Sequence, residues 1–406
     1  MGLDPLDIVG NLHKVKPVYQ PIVSAIRHNI AGYEVLGQFQ HGDEWISLGN
    51  FFHDEDVPDE FKVEVDQHLL EIAITEMLEK NHDGFLCINR TAKQLMVNDG
   101  EDLLQTLILF EQKGFAMNRT VIEVTEHDFD EDFEMLNHLL LYYKTYGIQI
   151  AVDRVGAKSS NIDRIRQLRP HILKIDTRII RNQKSDGFQD IMYSLSMLAR
   201  RIGAALLFEY IEDDFQLHFA WKNGGRYYQG YYLAKPEPYI NGSHLLSVNL
   251  SEKVADYIQR EKSLVEERLK HVLNWESKVR GLLPQWEGPK KIDAFIEYVT
   301  SEFDHESFRM YVCNSDGQQV SSNFRKREGT WEVETDKIGS NWAFRPYFLE
   351  NMVQMKTWSR GILSDIYSDI ETREMIRTFS FPLTPQHFLF IDIRYSYIYE
   401  NECLLI

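Results

Sequence analysis

Between Lys16 and Tyr232 the chain alternates eight short apolar runs with stretches of helical periodicity, and this rhythm restricts the fold more than any other feature. The runs are KPVYQPIVSA, IAGYEVLGQF, GFLCINR, TVIEVTE, IQIAVDRV, HILKID, AALLFEY and RYYQGYY. They are rich in β-branched and aromatic residues and mostly bounded by Gly, Asp or Asn, as strands are. Between most of them lie segments such as EFKVEVDQHLLEIAITEMLEK, DEDFEMLNHLLLYYKTYG and GFQDIMYSLSMLARRIG, with apolar residues at three- and four-residue steps. The last two close on Gly147 and Gly203, where a helix places its C′ residue. Eight strands alternating with helices over about 240 residues predict a (β/α)8 barrel rather than an open sheet. The first two runs are joined only by IRHN, too short for a parallel crossover, so one of them is expected to run antiparallel.

The texture changes after this region. Residues 251–283 form a long charged helical pattern with Ile258, Val265, Val272 and Val279 at seven-residue intervals. β-branched residues at such positions favour two-stranded coiled coils, and the expectation is a homodimer-forming or domain-bridging helix. The matching seam of Glu261, Arg268, Trp275 and Leu282 is a poor one, which leaves packing on its own chain as the other reading. Pro284 stops the helix. Beyond it, SFRMYVCNSDGQQVSSNF reads as strand, turn, strand around Asp316-Gly317. TWEVET, MIRTFSFPL and HFLFIDIRYSY are further strands, and RPYFLENMVQM is helical, an α+β pattern. The expected organisation is a barrel over residues 1–245, a linker helix over 246–284 and a smaller domain over 285–406.

Charge and cysteines narrow the setting. A net charge of −18 argues against duplex nucleic acid as the main partner, while leaving room for a small anion held through a cation. No run of about 18 apolar residues suggests a membrane span, so membrane insertion is not expected. The start is acidic without a signal-peptide core, and Leu6 stands where a myristoylation signal needs Ser or Thr. Cys87, Cys313 and Cys403 are far apart, neither a disulfide framework nor a zinc pattern. Together these point to the cytoplasm.

In a barrel of this kind, functional residues gather at the carboxyl ends of the strands. Here those ends supply Glu34, Asn89, Glu123 with Glu126, Asp153, Lys174 with Asp176, Glu209 with Glu212, and Gln229. This is a ring of oxygen donors with one lysine. Each alone is an ordinary strand-end cap or turn residue. Seven of the eight strands agreeing points instead to a hard divalent cation such as Mg2+, Mn2+ or Ca2+.

These residues also carry a family resemblance. YEVLGQ resembles the Glu-Ala-Leu-x-Arg motif of the EAL-domain family, which comprises cyclic di-GMP phosphodiesterases and their inactive relatives. YQPI resembles its first strand, INRTAK its Asn motif, and IEVTEH its Glu-x-Thr-Glu. LKID matches its lysine strand, FEYIE resembles Ala-Glu-Gly-Val-Glu, and YYQGYYLAKP resembles Gln-Gly-Tyr followed by Pro. The match covers roughly residues 10 to 240.

The resemblance implies that Glu34, Asn89, Glu123 and Asp153 hold one cation and that Lys174 sits beside the attacked phosphate and water. It implies that Glu209 serves the second metal or acts as general base, and that Glu126 braces the loop after Asp153. Ligand contacts are implied at Gln20, Leu36, Gln38, Asp176, Glu212, Gln229 and Pro236. Ca2+ would bind without supporting catalysis.

Two departures stand out: active members carry Asp-Asp where this chain has Asp153-Arg154, and Arg where it has Gln38. An arginine neither ligates a cation nor gives up its proton. The expectation is therefore a cytoplasmic cyclic di-GMP-binding signalling protein with weak or absent hydrolysis. The rivals are a working phosphodiesterase producing linear pGpG and a scaffold without nucleotide binding. The C-terminal part resembles a Cache or PAS-like sensor, with Arg345, Tyr347, Tyr367, Asp369 and Asp392 as pocket candidates for an unknown small ligand or protein.

Overall fold

The computed structural model describes residues 3–125, 133–155, 162–178, 187–240, 246–345 and 348–405, without the side chains of 187–190. The chain divides into two compact units, Met1–Ala255 and Asp256–Ile406. Glu126 and Tyr347 lie outside the described residues.

The first unit is a closed eight-strand barrel. Its strands are β1 (Val15–Ser24), β2 (Ile30–His41), β4 (Phe85–Asn89), β5 (Thr120–Thr125), β6 (Gln149–Asp153), β7 (Ile172–Asp176), β8 (Ala205–Glu209) and β9 (Gly225–Tyr228). They pair in the order β1-β9-β8-β7-β6-β5-β4-β2, and β1 pairs with β2 to shut the ring. The expected antiparallel strand is β1, which opposes both β2 and β9, while the other neighbours are parallel. A short strand, β3 (Glu44–Ser47), folds back on the outer edge of β2. It was not foreseen, because EWIS is brief and mostly exposed and follows Gly42, which turns the chain at φ 63°.

The helical segments fall where the periodicity places them, at Asp59–Glu79, Phe133–Thr145 and Gly187–Ile202. Gly147 and Gly203 end the last two in the left-handed conformation, at φ 86° and 74°.

The barrel interior is layered. Ile22, Cys87, Val121, Ala151, Ile172 and Leu207 form one buried apolar cluster. Two residues further along their strands, on the same face, come Asn89, Glu123, Asp153, Lys174 and Glu209. Each strand thus exchanges an apolar plug for a polar rim in one pleat.

The second unit is built on an antiparallel sheet ordered β12-β11-β10-β16-β15-β13, with β14 also paired to β15. The strands are β10 (Ser307–Asn314), β11 (Asn323–Arg327), β12 (Thr330–Glu334), β13 (Ile362–Leu363), β14 (Tyr367–Ser368), β15 (Met375–Thr384) and β16 (His387–Ile393). The expected strand HFLFIDIRYSY is too long: β16 stops at Ile393, and Tyr395–Glu400 is helical. The charged helix runs Leu250–Leu282, and from Asp256 it belongs to this unit. Trp275 and Val279 are fully buried in the unit's main apolar cluster, with Leu264, Val272 and Leu282 packed against it.

Candidate functional site

Register fixes who meets whom at the mouth. In the parallel ladder Glu34 lies beside Cys87, Asn89 beside Glu123, and Asp176 beside Glu209, while Gln20 faces Glu34 across the antiparallel β1–β2 pair. Lys174, 1% exposed, rises through the centre. Its Nζ lies 2.6 Å from Glu123 Oε1, 3.3 Å from Glu34 Oε2 and 3.2 Å from Glu209 Oε2. Glu34 also accepts from Asn89 Nδ2 at 2.8 Å and from Gln229 Nε2 at 2.7 Å. Cys87 donates its thiol to Glu123 Oε2 at 3.2 Å. Six of the expected residues are therefore one hydrogen-bonded cluster, joined by a cysteine that strand-end reasoning passed over.

Burial pushes Glu123 well above the usual carboxylate range despite Lys174, and Glu34, Asp153 and Glu209 add to the effect by repulsion. Burial likewise raises Glu209, to about 8, against the pull of Lys174. Glu34 goes the other way: burial would raise it, but Lys174 and the two amide donors outweigh burial and hold it low. Lys174 stays firmly charged, because four carboxylates overcome the burial that would neutralise it. Four acids around one ammonium leave the layer short of positive charge, so without a cation burial and mutual repulsion favour the protonated forms of Glu123 and Glu209 more than in water.

Asp153 and Asp176 are each approached by an arginine. The Nε of Arg154 lies 3.5 Å from Asp153 Oδ2, and its backbone N–H donates to Asp153 Oδ1 at 2.7 Å. Arg178 grips Asp176, with Nη2 to Oδ2 at 2.6 Å and Nε to both oxygens at 3.0 Å. The residues after two strand-end acids, Arg154 and Tyr210, adopt left-handed backbone at φ 55° and 57°. Bulky residues rarely do so, and such strain clusters at functional sites.

The remaining expected residues sit around this core. Leu36 and Gln38 follow Glu34 on the same face of β2, both half-buried, and Gln38 is in register with Lys16 and Ser47. Among the described residues neither joins the hydrogen-bonded cluster. Glu212 is exposed in the loop after β8, where its N–H donates to Gln216 Oε1. Pro236 is half-buried, next to Glu237, which bridges to Tyr19 of β1. In the second unit Asp369 and Asp392 both accept from Arg309, at 2.7 and 2.6 Å, and Thr378 links Asp392 to the Tyr367 hydroxyl. Their oxygens are thus spent on an internal network. The Arg345 guanidinium lies 4.5 Å from the Trp342 ring centre.

The layer fits a hard cation by its chemistry. Its donors are carboxylate and amide oxygens, it lacks positive charge, and Gln229 Oε1 is buried without a hydrogen-bond partner. Among the described residues no three acidic, histidine or thiol groups form a ready-made cation cage, because the ammonium of Lys174 stands where the carboxylates converge.

A family model for the EAL domain matches residues 10–236. The chain belongs to the EAL-domain family. A second model, the EAL-domain associated signalling protein domain, matches residues 241–405. Over 99% of its length the chain is 43% identical to the EAL-domain containing protein YkuI of Bacillus subtilis, all of which is covered. The crystal structure of YkuI in complex with c-di-GMP and calcium superposes with a TM-score of 0.93 over 99% of this chain and 100% of that one. The cyclic di-GMP phosphodiesterase PdeF of Escherichia coli is 30% identical over 122 residues, 30% of this chain and 16% of that protein. The FimX EAL domain from Pseudomonas aeruginosa, solved with c-di-GMP, shares the fold: TM-score 0.52 and 19% identity, over 59% of this chain and 98% of that one.

In this EAL barrel three residues escaped the sequence reading: Cys87, Arg178 and Tyr210. Cys87 could have been found by counting back two residues from Asn89 along a parallel strand. Tyr210 had a signal too, since FEYIE places it where the family motif has glycine, a residue at ease in left-handed backbone. Arg178 had none, because its partner is set by local backbone rather than by motif.

Proposed function

We propose that this chain is a cation-assisted cyclic di-GMP receptor on an EAL barrel that hydrolyses its ligand weakly or not at all. The observation that carries the reading is the cluster of Glu34, Asn89, Glu123, Glu209 and Gln229 around Lys174, with Asp153 and Asp176 each turned to an arginine. The similarity to YkuI, solved with c-di-GMP and calcium, supports the choice of ligand and cation. Glu34, Asn89, Glu123 and Asp153 would hold Mg2+, Mn2+ or Ca2+, and the bound cation would neutralise phosphate and lower the pKa of water. Lys174 then holds the ligand phosphate from below, and Gln20, Leu36, Gln38, Glu212 and Pro236 border the ligand. Arg154, where active members carry a second Asp, offers fixed positive charge but no ligand for a second metal. The reading includes a homodimer and a cytoplasmic setting, the latter in keeping with three free, buried cysteines.

The test is calorimetric titration of cyclic di-GMP with Ca2+ or Mn2+, alongside an assay for linear pGpG. The expected result is cation-dependent binding with little product, and binding much weakened by Glu123→Ala. Robust turnover would establish the phosphodiesterase reading, which retention of Lys174 and Glu209 favours. Binding untouched by Glu123→Ala, or no binding with any of the three cations, would remove the proposal.

A further inference from the structure

We infer that Arg178 is a phosphate-binding residue for an anionic dinucleotide at the barrel mouth, pre-set by Asp176 beneath it and Tyr210 beside it. The inference rests on the proposed cyclic di-GMP reading and names a contact that reading leaves open.

Arg178 comes two residues after the carboxyl end of β7. Its backbone N–H donates to Asp176 Oδ1 at 2.8 Å, and its guanidinium returns to the same carboxylate through Nε and Nη2. The guanidinium carbon lies 3.6 Å from the centre of the Tyr210 ring. An arginine on a flexible stem ordinarily gives up much rotamer freedom to bind an anion. Here the plane is already fixed, edge-on by a carboxylate and face-on by a ring. Tyr210 reaches this position only through the left-handed backbone that directly follows Glu209. A strained tyrosine held as a shelf for an arginine is a costly arrangement to keep for packing alone, since the Arg178 side chain is half exposed.

The fork still has donors to offer. A guanidinium has five N–H groups, and two suffice for the bidentate grip on Asp176. The others, on Nη1 and the outer side of Nη2, have no partner among the described residues. A planar pair of donors at the rim matches two oxygens of a phosphodiester, which a lysine does not. Asp176, already paired, no longer repels that phosphate.

Topology says which part of the ligand it meets. Round the ring β1-β9-β8-β7-β6-β5-β4-β2, β7 lies four steps from β2 in either direction. Arg178 and Gln38 therefore stand at opposite sides of the mouth. Gln38 has lost the family's arginine at one side, and Arg178 supplies a guanidinium at the other. A ligand with two phosphates spanning the mouth would meet Lys174 at the centre and Arg178 at the rim.

The experiment is titration of cyclic di-GMP at saturating Ca2+ into wild type, Arg178→Ala and Arg178→Lys, with Ca2+ binding and melting temperature measured for each. The expected result is affinity about ten- to a hundred-fold lower for Arg178→Ala and an intermediate loss for Arg178→Lys. The salt dependence should flatten in Arg178→Ala, with Ca2+ affinity and melting unchanged. Equal dinucleotide affinity in wild type and Arg178→Ala overturns the inference, as does a loss matched by an equal loss of Ca2+ binding. Failure of wild type to bind overturns the receptor reading itself, and that titration is read before any variant.

Discussion

At the scale of single residues, the mouth depends on how one ammonium is shared. Lys174 faces Glu34, Glu123 and Glu209 within 3.3 Å; Glu34 has two further amide donors, whereas among the described residues Glu123 adds only the weak Cys87 thiol. A cation bound there competes with protons for raised carboxylates, Glu209 above all at about 8, so its affinity should rise with pH. The second metal position is a different matter. Arg154 presents a fixed charge on left-handed backbone beside Asp153. Aspartate tolerates that backbone better than arginine does, so Arg154→Asp should be accepted locally. Combined with Gln38→Arg, it should raise linear pGpG production with Mn2+ by roughly 10²–10⁴, the usual worth of a water-activating element. A wild type already turning over briskly, with the double variant no faster, would show that Arg154 does not limit the chemistry. Most of this cluster could be read from the strand-end rule, because a parallel strand aims every second residue inward. The arginine clasps could not, because they depend on backbone beyond the strand ends.

At the scale of elements, the instructive case is the helix Leu250–Leu282. Its seven-residue repeat suggests a partner helix, yet Val279 is buried and Val272 packs against the core of its own unit, while Ile258 and Val265 are exposed. Leu269 and Leu273 are exposed as well. A heptad pattern records which residues lie on one face, not what covers it, and Trp275 shows the difference. In the seam it reads as a misfit, whereas in the fold it is the largest fully buried side chain among the described residues, its ring centre 5.6 Å from that of Phe379. Trp275→Ala should destabilise the second unit by about 3–5 kcal/mol, seen as an earlier denaturation midpoint. Trp275→Phe should cost far less, because the indole Nε1 has no hydrogen-bond partner to lose. Equal effects from the two substitutions would mean that indole volume is not what the core uses. The short strands were legible for a simpler reason: alternation and Gly or Asp boundaries are local signals, whereas past the end of β16 at Ile393 the chain turns helical, with the Arg394 carbonyl accepting from the Ile398 N–H.

At the scale of the whole molecule, each unit carries its own core: the layered barrel interior in Met1–Ala255, and the cluster around Trp275 in Asp256–Ile406. A ligand that binds only the folded barrel stabilises only the unit that holds the site. At a free concentration a hundred times the dissociation constant, the gain is about 2.7 kcal/mol. For a unit of this size that corresponds to a melting shift of roughly 5–10 °C. Scanning calorimetry with saturating Ca2+ and cyclic di-GMP should therefore raise one transition by that amount and leave a second in place. Trp275→Ala supplies the complementary mark, lowering the second transition while the first still responds to ligand. If instead one transition both rises with ligand and falls with Trp275→Ala, the two units unfold together. Nucleotide occupancy at the mouth would then be energetically felt by the C-terminal domain, the coupling a receptor needs to pass its signal on.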